Sequence, residues 1–358
     1  MLNQLSRARR AAGVAAALGV AALLAACASS QPPDPCAAVG DLSFICGLRA
    51  PEDLVAIPNT QWMVVSGMEP GSGLHLINTQ TKRAQPLSAI GGGTRERYVA
   101  CPGPMEVAKS VLHGLSLRPE TDGFYTLYAT HHGDRESIEV FEIDARGTVP
   151  LATWVGCVLL PEQMAANSVA AFSDGTLLAT VLTLPGSTFE DIFAGKNTGV
   201  VLRWTPGSPA FEPLVGTELS GNNGIETSAD DTEFYVAASG GKSVTAFSRA
   251  DPSRPLRVAQ LQGYAPDNIR LENGQLIAAG MIDDEPACGG APKSPDGIQC
   301  PRGYVVSSID PQTMAVTEVA RGPAAAPYKG TATAVRVGND LWLSSFNADR
   351  VAYRALTP

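Results

Sequence analysis

Asn223-Gly224-Ile225-Glu226 opens a stretch that passes through the turn Ala229-Asp230-Asp231 into Phe234-Tyr235-Val236-Ala237. A polar pair, a short apolar run, a tight acidic turn and an aromatic and β-branched run describe two antiparallel strands joined by a turn. The same kind of opening recurs along the chain as Glu52-Asp53-Leu54-Val55, His113-Gly114-Leu115-Ser116, Asn167-Ser168-Val169-Ala170, Asp267-Asn268-Ile269-Arg270 and Thr331-Ala332-Thr333-Ala334. Successive openings lie 61, 54, 56, 44 and 64 residues apart. Periods of that size point to propeller blades with loop insertions. Six openings predict an all-β, six-bladed β-propeller.

The remaining strand signals agree. Trp62-Met63-Val64-Val65, Phe124 to Ala129, Ile138 to Ile143, Val200 to Trp204, Tyr304 to Ile309 and Leu341 to Phe346 are separated by turns such as Ser173-Asp174-Gly175 and Asn273-Gly274. No long stretch shows helical periodicity after residue 35, which disfavours a doubly wound α/β fold. The last unit holds chain for only two or three strands. The segment from Leu42 to Leu48 is therefore expected to supply its outer strand and close the ring. A β-sandwich followed by a second domain would need a linker, and none is visible.

Composition limits the function classes. The chain has 358 residues, of which 36 Gly and 27 Pro make 63, turn-rich but short of low complexity. Lys+Arg 26 against Asp+Glu 35 gives −9, and there is no long basic cluster beyond the N-terminus, so no nucleic-acid partner is expected. Arg7, Arg9 and Arg10 precede the uncharged run Ala11 to Ala26, the pattern of a signal peptide rather than a membrane span. The run ends in Leu24-Ala25-Ala26-Cys27, which resembles a bacterial lipobox with Cys27 as the lipidated residue. Residues 1–26 are read as the signal, 27–40 as lipidated Cys and tether, and 41–358 as the propeller. Removal of the signal leaves 23 − 35 = −12. Ala28 follows Cys27 where an Asp would favour inner-membrane retention. The expected location is the cell envelope, as an outer-membrane lipoprotein facing periplasm or exterior, with the lipid as the membrane contact and a monomeric body.

Six further cysteines, Cys36, Cys46, Cys101, Cys157, Cys288 and Cys300, form an even set that suits disulfides in an exported chain. Six cysteines allow 15 pairings. Cys36–Cys46 and Cys288–Cys300 would close short loops and leave Cys101–Cys157. No C-x-x-C pair is present and His are only four, so zinc is disfavoured.

In a propeller the starts of the innermost strands converge on the central channel. Those positions are Glu52, His113, Asn167, Asn223, Asp267 with Asn268, and Thr331. Two carboxylates and three amide carbonyls on one axis form an oxygen-rich cage suited to Ca²⁺, which takes 6–8 oxygen ligands, and ill suited to softer metals. Asn-Gly and Glu-Asp pairs are ordinary turn residues when met alone. Their common phase in the repeat is what singles them out.

Pro51 to Asn59 (PEDLVAIPN), His113-Gly114-Leu115-Ser116, Asn223-Gly224-Ile225 with Phe234-Tyr235-Val236, and Asp267-Asn268-Ile269 resemble, in order and phase, the motifs of the calcium-dependent paraoxonase/arylesterase lactonases. These lie within the broader senescence-marker/gluconolactonase-like propellers. The resemblance runs from about residue 48 to the C-terminus and is weakest at 83–110 and 281–302. It implies that Glu52, Asn167, Asn223, Asp267 and Asn268 hold a catalytic calcium, with His113 as general base and His132 as its partner. The implied activity is calcium-dependent hydrolysis of small-molecule lactones or aryl esters, a carboxylic ester hydrolase. His75 and His131 are left as structural.

The chain also departs from that family. A second, structural calcium there uses the acid after the first Glu, here Asp53, and an Asp at the position of Ser168; a hydroxyl is a poorer ligand, so a weak or empty second metal site is expected. The segment 281–302 is an insertion expected near the channel mouth. No G-x-S-x-G elbow is present, which disfavours a serine hydrolase. Two alternatives stand beside the hydrolase: a non-catalytic propeller displayed at the envelope as a binding or interaction module with a structural Ca²⁺, and a sugar-lactonase, which polar residues at the mouth would favour.

Overall fold

The computed structural model of the protein describes residues 34–356. The signal, Cys27 and the first part of the tether lie outside the described residues. From Cys36 onward the chain forms one compact unit. Among the described residues it contains six sheets, five of four strands and one of five, antiparallel except for one short edge strand. Their first strands are Leu54–Ala56, Val111–Pro119, Ala166–Ala171, Asn222–Thr227, Tyr264–Glu272 and Thr331–Val337. Each of these neighbours the next around a ring, and the sixth returns to the first. This is the six-bladed propeller that the repeat predicts.

The second and third strands of a blade are covered on both faces. Trp62–Val65 and Leu177–Val181 are buried at every residue, which is why they read as continuous apolar runs rather than alternating ones. The core is accordingly divided into interleaved layers. Val64, Leu76, Leu127 and Phe141 pack between the first and second blades, and Phe172, Val201, Val236 and Phe247 between the third and fourth. Fully burying each such side chain contributes about 1.5–3 kcal/mol. The outer strands Arg83–Pro86 and Pro255–Gln260 are mostly exposed, and their charged, polar and proline residues discourage edge-to-edge pairing.

Ser43–Cys46 pairs antiparallel with Arg350–Ala355 as the outer strand of the sixth sheet. The second blade carries a feature absent from the strand pattern: Ala89–Ile90 adds a short parallel strand beside Leu151–Leu159. Cys101–Cys157 fastens the same excursion to that blade, while Cys36–Cys46 and Cys288–Cys300 close short loops. Three disulfides mark the product of an oxidising compartment, as in an exported protein. No helix among the described residues is long and apolar enough to cross a membrane.

One local device positions the site. The pairing of the first strand with the second breaks register between Leu112 and Leu115, Ala166 and Val169, Asn222 and Ile225, Pro266 and Ile269, and Thr331 and Ala334. Five blades thus carry a β-bulge at the same place. A bulge leaves residues unpaired and re-aims their side chains. The residues left unpaired include His113, Asn167, Asn223, Asp267 and Asn268.

Candidate active site

The glycines beside these residues have a steric reason. A Cβ on Gly114 would stand 2.6 Å from the Ser168 Cα, and one on Gly224 would stand 2.6 Å from the Asn268 Cα. Neighbouring first strands can approach this closely only if His113 and Asn223 are each followed by glycine.

The polar groups gathered at the channel are short of partners. Glu52 Oε2, Asn167 Oδ1, Asn223 Oδ1 and Asn268 Oδ1 are all buried and none has a hydrogen-bond partner among the described residues. Stranding one buried acceptor costs about 1–3 kcal/mol, and four together call for something to fill them. Two of the amides are visibly oriented: Asn268 Nδ2 donates to Glu52 Oε1 at 2.7 Å, and Asn223 Nδ2 donates to Ser239 Oγ at 3.0 Å. Ser239 in turn donates to the Pro266 carbonyl at 2.7 Å. With the NH₂ groups so engaged, the amide oxygens are left without partners. Asp267 lines one cavity with Asn167, Asn223 and Ser239.

The electrostatics agree with a site suited to a cation. Burial first, then the Asp53 and Asp267 carboxylates, push Glu52 well above the usual carboxylate range. Burial pushes Asp267 up to about 7. Two desolvated acids and three amide oxygens fit a hard, oxygen-liganded ion such as calcium. Among the described residues no three His, Cys, Asp or Glu side chains cluster as a metal site; three of the five oxygen-bearing side chains gathered at the channel are Asn amides, which such a count leaves out.

Beside the cage lies a chain of three side chains. His113 Nδ1 is 3.2 Å from His132 Nε2, and His132 Nδ1 is 2.6 Å from Glu136 Oε2. His113 Nε2 lies 3.6 Å from Glu52 Oε1. Burial above all, and His132 next to it, push the His113 imidazole down to about 3, so it is neutral at neutral pH. A carboxylate on His132 Nδ1 favours the tautomer with its proton there. His132 Nε2 then accepts from His113 Nδ1–H, leaving the lone pair of His113 on Nε2, toward Glu52.

His113, Asn167, Asn223 and Asp267 line a cavity of about 200 Å³ whose walls are otherwise mostly apolar. Leu182, Phe189, Phe193, Met281, Ile298 and Phe346 form much of that wall. A short helix α1, Phe189–Phe193, presents the two Phe residues and is held by a reciprocal Thr188–Asp191 cap. Helix α2, Pro295–Gln299, brings Ile298 from the 281–302 insertion. That insertion is pinned by Cys288–Cys300 and by the buried Arg302, which donates to the carbonyls of Asp283 at 2.6 Å and Gly290 at 2.9 Å.

The structure therefore brings Glu52, His113, Asn167, Asn223, Asp267 and Asn268 together, with His132 one step behind. Thr331, also at a blade start, pairs with the Tyr328 hydroxyl at 2.9 Å and does not line the cavity. Asp53 points into a different, fully bonded setting. Its Oδ1 accepts from Leu54 N at 2.7 Å and Thr333 Oγ1 at 2.6 Å, and its Oδ2 from Leu115 N at 2.6 Å and from the Arg270 guanidinium. His131 is fully buried beside Ser137, a structural position. Sequence reasoning missed Glu136, Ser239 and Arg270. Only Arg270 carried a signal, as the one basic residue of the strand Tyr264–Glu272, set between Ile269 and Leu271.

The class defined so far is a six-bladed propeller with an oxygen-lined cage at its channel. No family model matches the chain. It is similar to serum paraoxonase/lactonase 3 of Homo sapiens, 26% identical over 293 residues, covering 74% of this chain and 75% of that protein. Among solved structures it superposes on a luciferin-regenerating enzyme (TM-score 0.54, 12% identity, 88% of this chain and 95% of the other). It also superposes on a proposed gluconolactonase (0.52, 13%, 88% and 92%) and on regucalcin, a calcium-binding protein of Agrobacterium tumefaciens (0.51, 12%, 87% and 91%). The structural matches establish the fold, and the sequence match supports similarity to the paraoxonase-like lactonase propellers.

Proposed function

We propose that the protein is a calcium-dependent hydrolase of lactones or aryl esters with apolar substituents. The observation that carries this reading is a set of four buried oxygens without partners among the described residues, from Glu52, Asn167, Asn223 and Asn268; Asn167 and Asn223 line one cavity with His113, and Glu52 reaches that group through His113 and Asn268. Glu52, Asn167, Asn223, Asp267 and Asn268 would hold the ion. Bound calcium supplies a Lewis acid that polarises a carbonyl and stabilises negative charge on its oxygen. His113 Nε2, uncharged and carrying its lone pair, is the acceptor for a proton from water. His132 holds His113 in that tautomer, and Glu136 holds His132. Phe189, Phe193, Leu182 and Met281 seat the hydrocarbon part of the substrate and keep bulk water from the reacting carbonyl. Their apolar character disfavours sugar lactones.

The disulfides support export; attachment to the outer membrane through lipidated Cys27 is our proposal for its place in the envelope. The test of function is hydrolysis of a panel of alkyl lactones and phenyl acetate by the chain starting at Gln31, after chelation and after calcium is restored. Turnover that vanishes and returns with calcium is expected. Absence of turnover, with calcium still raising the melting temperature, would favour the binding module.

A further inference from the structure

We infer that the propeller carries a built-in cation on its channel axis: the Arg270 guanidinium occupies the place on Asp53 that the family resemblance gives to a second calcium. Asp53 is fully buried, and an ionised carboxylate has about four acceptor positions. All four are used, by Leu54 N, Thr333 Oγ1, Leu115 N and Arg270 Nη2. No lone pair is left for a metal.

The guanidinium also takes carbonyl oxygens. Arg270 Nε donates to the Leu54 carbonyl at 3.2 Å, Nη1 to Ile269 at 2.9 Å and Nη2 to Leu115 at 3.1 Å. One charged group thus ties the first, second and fifth blades, while Thr333 adds the sixth through Asp53. Ser168, at the position where the resemblance calls for a second carboxylate, keeps a buried hydroxyl without a partner among the described residues. A planar fork of N–H donors matches a carboxylate and several carbonyls better than a compact ammonium would, which is why Arg rather than Lys suits the position.

The functional consequence is a division of labour. The clamp among the blades is covalently attached and cannot be removed by chelation, whereas the ion of the cage can. Stripping calcium should therefore silence the site and leave the folded ring. Only the number of ions counted below rests on the proposed cage; the occupation of Asp53 does not.

The test counts calcium by atomic emission after equilibration in millimolar calcium and gel filtration, together with melting temperatures. Wild type is expected to hold one ion, lost in Asn223→Ala. No ion at all would overturn the cage while agreeing with a filled Asp53. A second ion, or one that survives Asn223→Ala, would overturn the built-in cation. Arg270→Met and Asp53→Asn should each lower the melting temperature by on the order of 10 °C whether or not calcium is present. The double variant should lose much less than the sum of the two. Additive losses would overturn the proposal, and the wild-type ion count decides it even if a single variant does not fold.

Discussion

Glu52 and Asp53 are neighbours in the chain, are equally buried, and meet opposite fates. Asp53 is saturated by donors from the protein itself, including a cation. Glu52 keeps one oxygen without a partner, beside three amide oxygens in the same state. The Asp53 region is satisfied from within the chain, and the Glu52 region is where our proposal places the ion. A protein lowers its energy by satisfying buried charge, so a cluster left unsatisfied within a few ångströms of a saturated one marks where an external group belongs.

The sharpest way to break this contrast is to neutralise each acid. Asp53→Asn leaves the buried Arg270 charged without its hydrogen-bonded carboxylate and is expected to cost about 3–5 kcal/mol, measured by denaturant unfolding of the calcium-free protein. Glu52→Gln should leave calcium-free stability unchanged or raised, since it removes a desolvated charge close to Asp53 and Asp267. The same variant should lower calcium affinity and hydrolysis about a hundredfold or more. Equal destabilisation by both substitutions would end the distinction.

A second prediction concerns the side chains behind the cage. His113→Gln should cut turnover about a hundredfold or more while calcium still binds. Glu136→Gln removes the carboxylate that selects the His132 tautomer, and a fall in kcat of about tenfold with KM unchanged is expected, partly recovered by Glu136→Asp. A change confined to KM would show that Glu136 serves the substrate and not the imidazoles.

The smallest effect is on pH dependence. Asp267 has its pKa raised to about 7 in the calcium-free protein, against about 4 for an unfolded chain. Its contribution to calcium-free stability is therefore full below pH ~4 and is lost as pH rises through about 7. Calcium binding requires the ionised acid and offsets that loss. The calcium-induced rise in melting temperature should grow by a few degrees from pH 5 to pH 8. A rise that is flat with pH would remove Asp267 from the cage.

The repeat openings showed the propeller because turn residues and apolar runs are local signals, and because blades repeat them in a fixed phase. The same phase picked out Glu52, Asn167, Asn223, Asp267, Asn268 and His113 as oxygen and imidazole donors on one axis. The cage's apolar approach was not legible. Phe189 and Phe193 sit on a five-residue helix too short to leave a periodic pattern, and Ile298 comes from an insertion whose path is fixed by Arg302 and a disulfide. Glu136, in the turn between Phe124–His132 and Ser137–Asp144, carries no local signal; only the register of the second blade places His132 beside His113, with Glu136 behind it.

The sequence by itself determined the number of blades, the donors offered to the channel, and the glycines that let adjacent strands approach. Tertiary structure alone decided which of the consecutive acids is filled. Arg270 reaches Asp53 across 217 residues of chain. Whether such a pair meets depends on ring closure and on bulges that turn side chains inward, and neither is written in the residues flanking either partner.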